Sequence, residues 1–480
     1  MLKQASYCGA VWLFACTLWA SEFEQQKLQN WHQFRGPQGT GVAPLGNPPT
    51  EWSETKNIKW KVAIPGSGSA SPIVWGDRIF ILTAIRTDRT AEPAERTTSA
   101  ARPTFQTVAY SPAPAPLLAQ RDADRRGPGE GRRRGGRGGN PFGINSPTNY
   151  HQFVVMCLDR QSGETLWQDV ATEAIPHEGH HGSSSFATGS PVTDGENLYA
   201  SFGSRGVYSY SIDGNRRWQR DLGQMRTSNS FGEGSSPALH GDTLVLNWDH
   251  EGDSFIIALD ADTGETKWKK DRDEGTTWGT PLIVEGAGRT QVITTGSNRI
   301  RSYDLANGEL LWECGGLGSN PIATPIVSEG IVVCMSGHRD PAGVAIPLDA
   351  QGDVTGTEEV AWELENTPYI ASPVLYDGLL YFTKGRNAIL SCVEAKTGQD
   401  VFSQKRLPDM ETLYSSPVAA DGRMNISSRE GNTVVVKHGR EFEVLATNPL
   451  DEQTSDATPA IVGNELILRG ENHLYCISEE

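Results

Sequence analysis

The chain has 480 residues, and its acidic side chains outnumber Lys and Arg to give a formal net charge of −17 at pH 7. A body this acidic repels phosphate groups and anionic membrane surfaces, so neither nucleic acid nor an anionic bilayer is expected as its partner. The length alone predicts about three domains. The 52 glycines and 28 prolines instead indicate a chain with many turns, and an internal repeat favours one closed ring.

The N-terminal segment has the pattern of an export signal. Lys3 precedes the apolar run Tyr7–Trp19, which is too short to span a bilayer, so a signal peptide is predicted over residues 1–20. Leu13–Cys16 is similar to a lipoprotein processing box, which leaves lipidation of Cys16 and membrane anchoring as one alternative and plain secretion as the other. Either alternative predicts an exported protein of the periplasm or cell envelope. Residues 21–56 are predicted to form an irregular N-terminal strap.

The stretch Ser236–Trp268 shows the unit from which the chain is built. Runs of Val, Ile, Leu and Ala with a period of two are separated by the turn sequences Gly241–Asp242 and Asp262–Gly264. This pattern predicts four short antiparallel strands. One such sheet has two open edges and an unburied face, so neighbouring copies are required.

The neighbouring copies are visible as a repeat with a spacing of about 44 residues, the length of one propeller blade. A proline that follows a small residue or Thr marks each start: Pro72, Pro191, Pro237, Pro281, Pro325, Pro373, Pro417 and Pro459. A tryptophan follows the last turn in five copies: Trp167, Trp218, Trp268, Trp312 and Trp362. A large indole at one fixed place predicts packing of each blade against the next, with the N–H group hydrogen-bonded.

The last copy, Ala457–Ile477, contains only three predicted strands. We expect Ile58–Ala63, with Trp60, to supply the fourth strand and so to close the ring. The fold class is therefore all-β: an eight-bladed propeller of four-stranded antiparallel blades over residues 57–480, closed by an N-terminal strand.

Residues 85–150 interrupt the first blade and are rich in Arg, Gly and Pro. They contain eleven Arg and no Lys against six acidic residues, a net charge of +5, and too few apolar residues for a core. A disordered insertion is predicted. Such Arg- and Gly-rich tracts can bind RNA, but in an exported protein a solvated loop, in contact with an anionic polymer or lipid, is the favoured interpretation.

The pattern D-x-x-T-G-x-x-x-W, seen at Asp260–Trp268, and the repeats that carry it resemble the exported bacterial PQQ-like β-propeller proteins. In this respect the chain is similar to BamB, the propeller lipoprotein of the outer-membrane barrel assembly machinery, and to the quinoprotein alcohol dehydrogenases. The second similarity implies PQQ held between a Trp and a vicinal disulfide, with Ca²⁺ bound by Glu and Asn. The chain has no adjacent cysteine pair, so the disulfide is not expected here.

Six blades place an arginine in the loop between their second and third strands: Arg205, Arg299, Arg339, Arg386, Arg429 and Arg469. In a propeller these loops and those between blades emerge on one face, around the channel mouth. Guanidinium groups suit carboxylate, phosphate or sulfate ligands. The sequence predicts an anion-binding funnel, with pairing to local acids such as Glu430 or Glu471 as the alternative.

Aromatic residues occur in the loops between blades, three to six residues before the marker prolines: Phe186, Phe231, Trp278, Tyr369 and Tyr414. Beside the arginines, Trp278, Tyr369 and Tyr414 are candidates for stacking on a planar or sugar-like ligand. The alternative is that these residues cap the core at the inner end of each blade.

Two local clusters suggest metal binding. Asp249, Glu251 and Asp253 surround a glycine and offer oxygen ligands suited to Ca²⁺, although the pattern is not an EF-hand. His177–His181, with the sequence HEGHH, could coordinate Zn²⁺ or Ni²⁺. Hydrogen bonding within ordinary loops is the alternative for both.

Two functions follow from these patterns. The favoured one is a noncatalytic exported scaffold, similar to BamB, that binds a protein partner or an anionic ligand through its loop face without a cofactor. The alternative is a PQQ-dependent dehydrogenase that acts on an alcohol or sugar and requires PQQ and Ca²⁺.

Overall fold

The computed structural model describes residues 23–91, 142–451 and 456–479. The predicted signal peptide with Cys16 and most of the predicted insertion therefore lie outside the described residues. In the described ranges strands dominate, and helix is confined to residues 23–27 and the 3₁₀ turns Gly203–Arg205 and Ser228–Ser230. None of the helices in the described ranges is long and apolar enough to cross a membrane.

Within the described residues there are eight sheets, each with four antiparallel strands. In the first seven sheets the four strands follow in chain order, and in the eighth a strand from the N-terminal side joins the last three strands of the chain. The first four blades are β2 (Ile73–Trp75), β3 (Arg78–Thr90), β4 (Asn149–Asp159) and β5 (Thr165–Ala174); β6 (Val192–Thr193), β7 (Asn197–Ser201), β8 (Val207–Ser211) and β9 (Arg216–Arg220); β10 (Ala238–His240), β11 (Thr243–Trp248), β12 (Phe255–Asp260) and β13 (Thr266–Asp271); and β14 (Leu282–Gly286), β15 (Arg289–Thr294), β16 (Ile300–Asp304) and β17 (Leu310–Cys314).

The last four blades are β18 (Ile326–Ser328), β19 (Ile331–Ser336), β20 (Ala342–Pro347) and β22 (Trp362–Leu364); β23 (Val374–Tyr376), β24 (Leu379–Thr383), β25 (Ile389–Glu394) and β26 (Asp400–Arg406); β27 (Val418–Ala420), β28 (Arg423–Ser427), β29 (Asn432–Lys437) and β30 (Val444–Pro449); and β31 (Ala460–Val462), β32 (Glu465–Arg469), β33 (His473–Ile477) and β1 (Ile58–Ala63). Before β22, the short strand β21 (Gly352–Asp353) adds a parallel fifth strand to blade 4.

The ring is closed as predicted, by a strand from the N-terminal side. Strand β1 pairs antiparallel with β33, with Trp60 opposite Cys476, and Lys59 Nζ lies 2.6 Å from Glu465 Oε1 on β32. Because the first and last parts of the propeller share one sheet, blade 8 has no open edge at that position. The prediction of an eight-bladed all-β propeller is confirmed.

The repeated tryptophans pack between neighbouring blades, but the predicted hydrogen bond of the indole N–H forms in only part of the set: the buried nitrogens of Trp312 and Trp362 have no partner within the described residues. In four junctions the indole N–H donates to a backbone carbonyl in the following blade: Trp60 to Arg160, Trp167 to Ile212, Trp218 to Ala261 and Trp268 to Leu305, at 2.7–3.2 Å. In each case the accepting carbonyl belongs to the turn between the third and fourth strands of that blade, and the glycine of this turn has positive φ and lies against the indole. Gly264, at φ 72°, lies against Trp218 in this way. The turn glycine of one blade and the Trp of the preceding blade are therefore the two partners of one packing contact.

We predict that Gly264→Ala lowers the free energy of unfolding by about 2–3 kcal/mol, because positive φ and overpacking both oppose a Cβ. A Cβ at this position would come 2.8 Å from the Trp218 ring. Gly241→Ala is the matched control, since Gly241 also has positive φ (55°) but has open space around it. Urea unfolding of both variants measures the difference. Equal losses would show that the indole contact contributes nothing.

A second set of contacts joins the inner strands of neighbouring blades. The residue before every marker proline is Ser or Thr. At seven of the eight junctions its backbone N–H donates to the hydroxyl of the equivalent residue in the next blade at 2.9–3.2 Å; the exception is the junction of blades 4 and 5, where the Thr324 hydroxyl has no hydrogen-bond partner within the described residues. The bonds run from Ser71 to Ser190, Ser190 to Ser236, Ser236 to Thr280, Thr324 to Ser372, Ser372 to Ser416, Ser416 to Thr458, and Thr458 to Ser71. This hydroxyl belt surrounds the channel.

Residues 31–47, within the predicted strap, cross the channel on the inner strands. Thr193 of blade 2 donates to the His32 carbonyl, and Leu375 of blade 6 donates to Thr40. The buried Arg35 guanidinium donates to the carbonyls of Pro417 (2.8 Å) and Pro373 (2.7 Å). Burial without a carboxylate lowers the pKa of Arg35 to about 9. Since blades 2 and 6 lie on opposite sides of an eight-bladed ring, the strap must span the channel.

The boundaries of the insertion differ from those predicted. Strand β3 continues to Thr90 and β4 begins at Asn149, with Arg86 opposite His151, so both ends of the predicted disordered segment are ordered hairpin. Backbone pairing extends the hairpin here even though the sequence is polar. Residues 92–141 lie outside the described residues.

Candidate functional site

The loop face carries a cavity of about 790 Å³ at the mouth of the channel. Its wall is formed by loops between blades and by loops between second and third strands, as the connectivity predicted. The hydroxyl belt and Phe34 of the strap contribute further lining residues. This mouth cavity is thus concave, fixed by strands on all sides, and partly closed by the N-terminal segment.

Aromatic side chains form much of the wall. Phe231, Trp278, Tyr369 and Tyr414 line the mouth cavity, as four of the five predicted aromatics. The Tyr369 ring stacks on His338 with centroids 5.1 Å apart, and the Trp278 indole N–H donates to the Gly232 carbonyl at 2.7 Å. The rings are held by these contacts, so they present fixed surfaces to a ligand.

Phe186, the fifth predicted aromatic, contacts His180 and His151 edge-on, with centroids 4.5 and 5.0 Å apart. It packs against the core of the first two blades. Its position matches the second of the two roles offered by the sequence, in which the aromatic residue caps the hydrophobic core and does not stack on a ligand.

Two of the six predicted arginines, Arg339 and Arg386, line the mouth cavity. The Arg386 Nη1 donates to the Tyr414 hydroxyl at 3.0 Å. Neither arginine forms a salt bridge with any residue in the described part of the chain. Arg429 also lies close, 4.6 Å above the Tyr414 ring, but its guanidinium forms a two-pronged ion pair with Asp456 at 2.7 and 3.2 Å. Two guanidinium groups therefore line the cavity without an ion pair to a described residue, while Asp456, which also lines it, is paired with Arg429.

The remaining arginines lie elsewhere. Arg469, at the end of β32, is 2% exposed and donates to the carbonyls of Ala70 (3.1 Å) and Leu82 (2.8 Å). This corrects its predicted place on the loop face, because the side chain is committed to the backbone of blade 1. Arg299 lies near Asp353 and Glu313, at 3.5 and 3.9 Å. Pairing with local acids is the alternative to anion binding for the predicted arginine set.

The carboxylates predicted to bind Ca²⁺ do not converge on one point. Asp249 is fully buried and accepts from Arg272 Nε at 2.7 Å and Nη2 at 3.0 Å. Glu251 accepts from the Thr276 backbone N–H at 3.1 Å, and Asp253 is exposed. The predicted calcium site is therefore corrected, since one of its ligands is neutralised by the buried guanidinium of Arg272, the residue that directly follows β13.

A different cluster forms beside the mouth cavity. Potential ligand atoms of His177, Glu178 and Glu233 all lie within 4.8 Å of one another. The two histidines that the sequence grouped with His177 do not join it: His180 Nδ1 contacts the His181 carbonyl, and His181 Nδ1 contacts Ser183 Oγ at 2.7 Å. Glu233 was missed, because it comes from the next loop and no motif marks it.

The electrostatics of this cluster are unusual. Burial raises the pKa of Glu233 to about 7, although two hydrogen bonds from Ser204 oppose the shift. Burial likewise raises the pKa of Glu178. Arg205, predicted as a ligand contact, lies here, with Nη2 2.9 Å from His177 Nδ1, and burial lowers its pKa. Two carboxylates and a guanidinium thus share a poorly solvated space.

The family model described as outer membrane protein assembly factor BamB matches residues 151–404. The chain belongs to this family. Among solved structures, BamB from Moraxella catarrhalis is 14% identical with a TM-score of 0.50, covering 69% of this chain and 89% of that one. Quinohemoprotein alcohol dehydrogenase from Comamonas testosteroni is 10% identical with a TM-score of 0.58, covering 95% and 81%. A search of the curated proteins found no match. The two structural similarities show the shared propeller fold.

Proposed function

We propose that this PQQ-like propeller is a noncatalytic binding scaffold of the cell envelope, and that its mouth cavity holds an anionic group of a ligand or partner. The observation that carries the proposal is the pair Arg339 and Arg386, which line an aromatic cavity without a salt bridge to any described residue. Guanidinium groups in such a setting bind carboxylate, phosphate or sulfate through paired N–H donors.

The surrounding charge makes this site selective. The chain carries a formal net charge of −17, so an anion is repelled by most of the surface and attracted only where cations are concentrated. Tyr369, Tyr414 and Trp278 add flat apolar surfaces beside the guanidinium groups. The combination suits an anion attached to a planar or sugar-like group, or an acidic side chain flanked by an aromatic residue.

A protein partner is the form of ligand that the family name supports. The matching model describes an outer membrane protein assembly factor, and an assembly factor acts by contacting other proteins. A partner segment that inserts an acidic side chain into the mouth cavity would use the same arginines as a small ligand. Export of this chain, with or without an anchor at Cys16, is part of this proposal.

PQQ-dependent oxidation of an alcohol or sugar is the second candidate, favoured by the similarity of the fold to a quinohemoprotein dehydrogenase. PQQ is a planar tricarboxylate, so Trp278 and the two arginines fit its shape and charge. The five cysteines in the described residues are all buried and unpaired, so they form no disulfide platform. The residues that the structure describes thus suit the binding of a planar anion, but they lack the disulfide of the PQQ site that the resemblance implies.

Binding measurements separate these functions. Isothermal titration of the purified protein with naphthalene-2-sulfonate, a planar aromatic anion, should give one binding site per chain. The double variant Arg339→Ala/Arg386→Ala should lose this binding. Thermal unfolding with PQQ, with and without Ca²⁺, tests the dehydrogenase, because a ligand of the native state raises the midpoint. A shift that requires both PQQ and Ca²⁺ would favour the enzyme. No binding of either anion would contradict the anion-binding scaffold.

A further inference from the structure

A second, smaller cavity of about 50 Å³ lies beside the mouth cavity, and Trp278 lines both. Its polar lining includes His177 and Glu178, from the loop between blades 1 and 2, and Glu233, from the loop between blades 2 and 3. The cavity has room for a bound ion with a few water molecules. Three chemically suitable ligands are thus placed by two consecutive loops.

His177 is held in the tautomer that a metal site needs. Its Nε2 lies 2.5 Å from the Met225 carbonyl oxygen, so Nε2 carries the proton and donates it. Nδ1 then has a lone pair, which accepts from Arg205 Nη2 at 2.9 Å. Histidine ligands in proteins are oriented in this way, by a hydrogen bond from the nitrogen that does not bind the metal.

Both carboxylates are fixed by donors from the protein. Glu178 Oε1 accepts from the backbone N–H of Thr227 at 3.0 Å and from its hydroxyl at 2.5 Å. Glu233 accepts from the backbone N–H of Ser204 at 2.7 Å and from its hydroxyl at 2.5 Å. A carboxylate has about four acceptor positions, so each group keeps lone pairs for a cation after these bonds.

Asn247 supplies an independent sign of a missing ligand. Its side chain is 4% exposed and lines the same small cavity. The Nδ2 group donates to Asp249 and Thr277, both at 3.1 Å, but the buried Oδ1 has no hydrogen-bond donor within the described residues. Buried carbonyl oxygens are rarely left in this state unless water or an ion satisfies them.

We propose that His177, Glu178 and Glu233 form a binding site for a divalent transition-metal cation, with Zn²⁺ as the ion that suits one imidazole nitrogen and two carboxylates. Asn247 lines the same cavity, and its unpaired oxygen is a neutral acceptor for the ion or its water. The Arg205 guanidinium is the cation that balances the carboxylates when no metal is bound, and it must move from His177 Nδ1 when the ion binds. This site is distinct from Arg339 and Arg386, so it does not rest on the proposed function.

Isothermal titration of the purified, chelator-treated protein with ZnCl₂ tests the site. We expect one Zn²⁺ per chain, and a loss of affinity of at least tenfold in Glu178→Gln, Glu233→Gln and His177→Gln. Arg205→Gln should bind Zn²⁺ more tightly than the wild type, because the competing cation is removed. Glu265→Gln, which removes an exposed carboxylate of a blade turn, is the control and should bind as the wild type does.

Glutamine retains an oxygen that can accept from Ser204 or Thr227, so the variants should fold, and thermal unfolding without metal verifies this. The absence of Zn²⁺ binding in both the wild type and Arg205→Gln would overturn the proposal. Equal affinity in the wild type and in Glu178→Gln/Glu233→Gln would do the same. Tighter binding of CaCl₂ than of ZnCl₂ would also overturn it, since His177 would then not be a ligand.

Discussion

Arg386→Ala should weaken the binding of naphthalene-2-sulfonate by about 10- to 100-fold in isothermal titration, because a hydrogen bond to a charged group contributes roughly 1.5–3 kcal/mol. The Tyr414 hydroxyl accepts from one nitrogen of this guanidinium and so orients the group, while no salt bridge within the described residues competes for it. Arg386→Lys keeps the charge but lacks the planar fork, so a smaller loss is expected.

Arg299→Ala is the matched control for this prediction. Arg299 belongs to the same set of predicted loop arginines, but it lies beside Asp353 and Glu313 and does not line the mouth cavity. Its replacement should leave the affinity within about twofold, since a partly exposed ion pair contributes little. If Arg299→Ala and Arg386→Ala reduce binding equally, the anion is attracted by the general field of the face, and the mouth cavity is not its site.

The fold was predictable because its determinants are local and repeat. Each turn Gly and each Trp occurs at a fixed place, and the contact between Gly264 and Trp218 shows why these two positions must keep their identities. The closing strand was predictable by the same reasoning, since a blade with three strands requires a fourth. The repeat gives no information on residues 31–47, whose path across the channel is fixed by backbone hydrogen bonds to several blades and by the buried Arg35 guanidinium.

The candidate site was only partly predictable. Arg386 and Tyr414 meet because the blade register fixes where their loops emerge, although their role in binding stays a prediction. Arg469 seemed equivalent by sequence, but it is the last residue of β32, where the alternation of a strand directs the side chain inward. Asp249, which directly follows β11, is neutralised by Arg272, which directly follows β13 and is not close in sequence. Ion pairs of this kind, between two different loops, leave no local motif.

Arg35→Met should lower the free energy of unfolding by about 2–6 kcal/mol, because two buried carbonyls lose their donor and each unsatisfied group costs about 1–3 kcal/mol. Met fills much of the space of the Arg stem, so the effect reports the lost hydrogen bonds more than a cavity. The contact is close: Gly41, at φ 80°, lies directly against the Arg35 guanidinium, and a Cβ there would overlap Nη2. Urea unfolding measures the loss.

The same variant distinguishes two roles for Arg35: holding the strap by hydrogen bonds, or only filling space in the channel. Arg35 bonds carbonyls in blades 6 and 7, so its loss should increase amide hydrogen exchange of residues 31–47 more than that of the outer strands. Arg339→Ala is the control, since an exposed arginine without a salt bridge in the described chain should change stability by no more than about 0.5 kcal/mol. Wild-type stability and exchange in Arg35→Met would mean that the backbone hydrogen bonds of the strap, with the apolar contacts of Trp31 and Val42, hold it in the channel without the guanidinium.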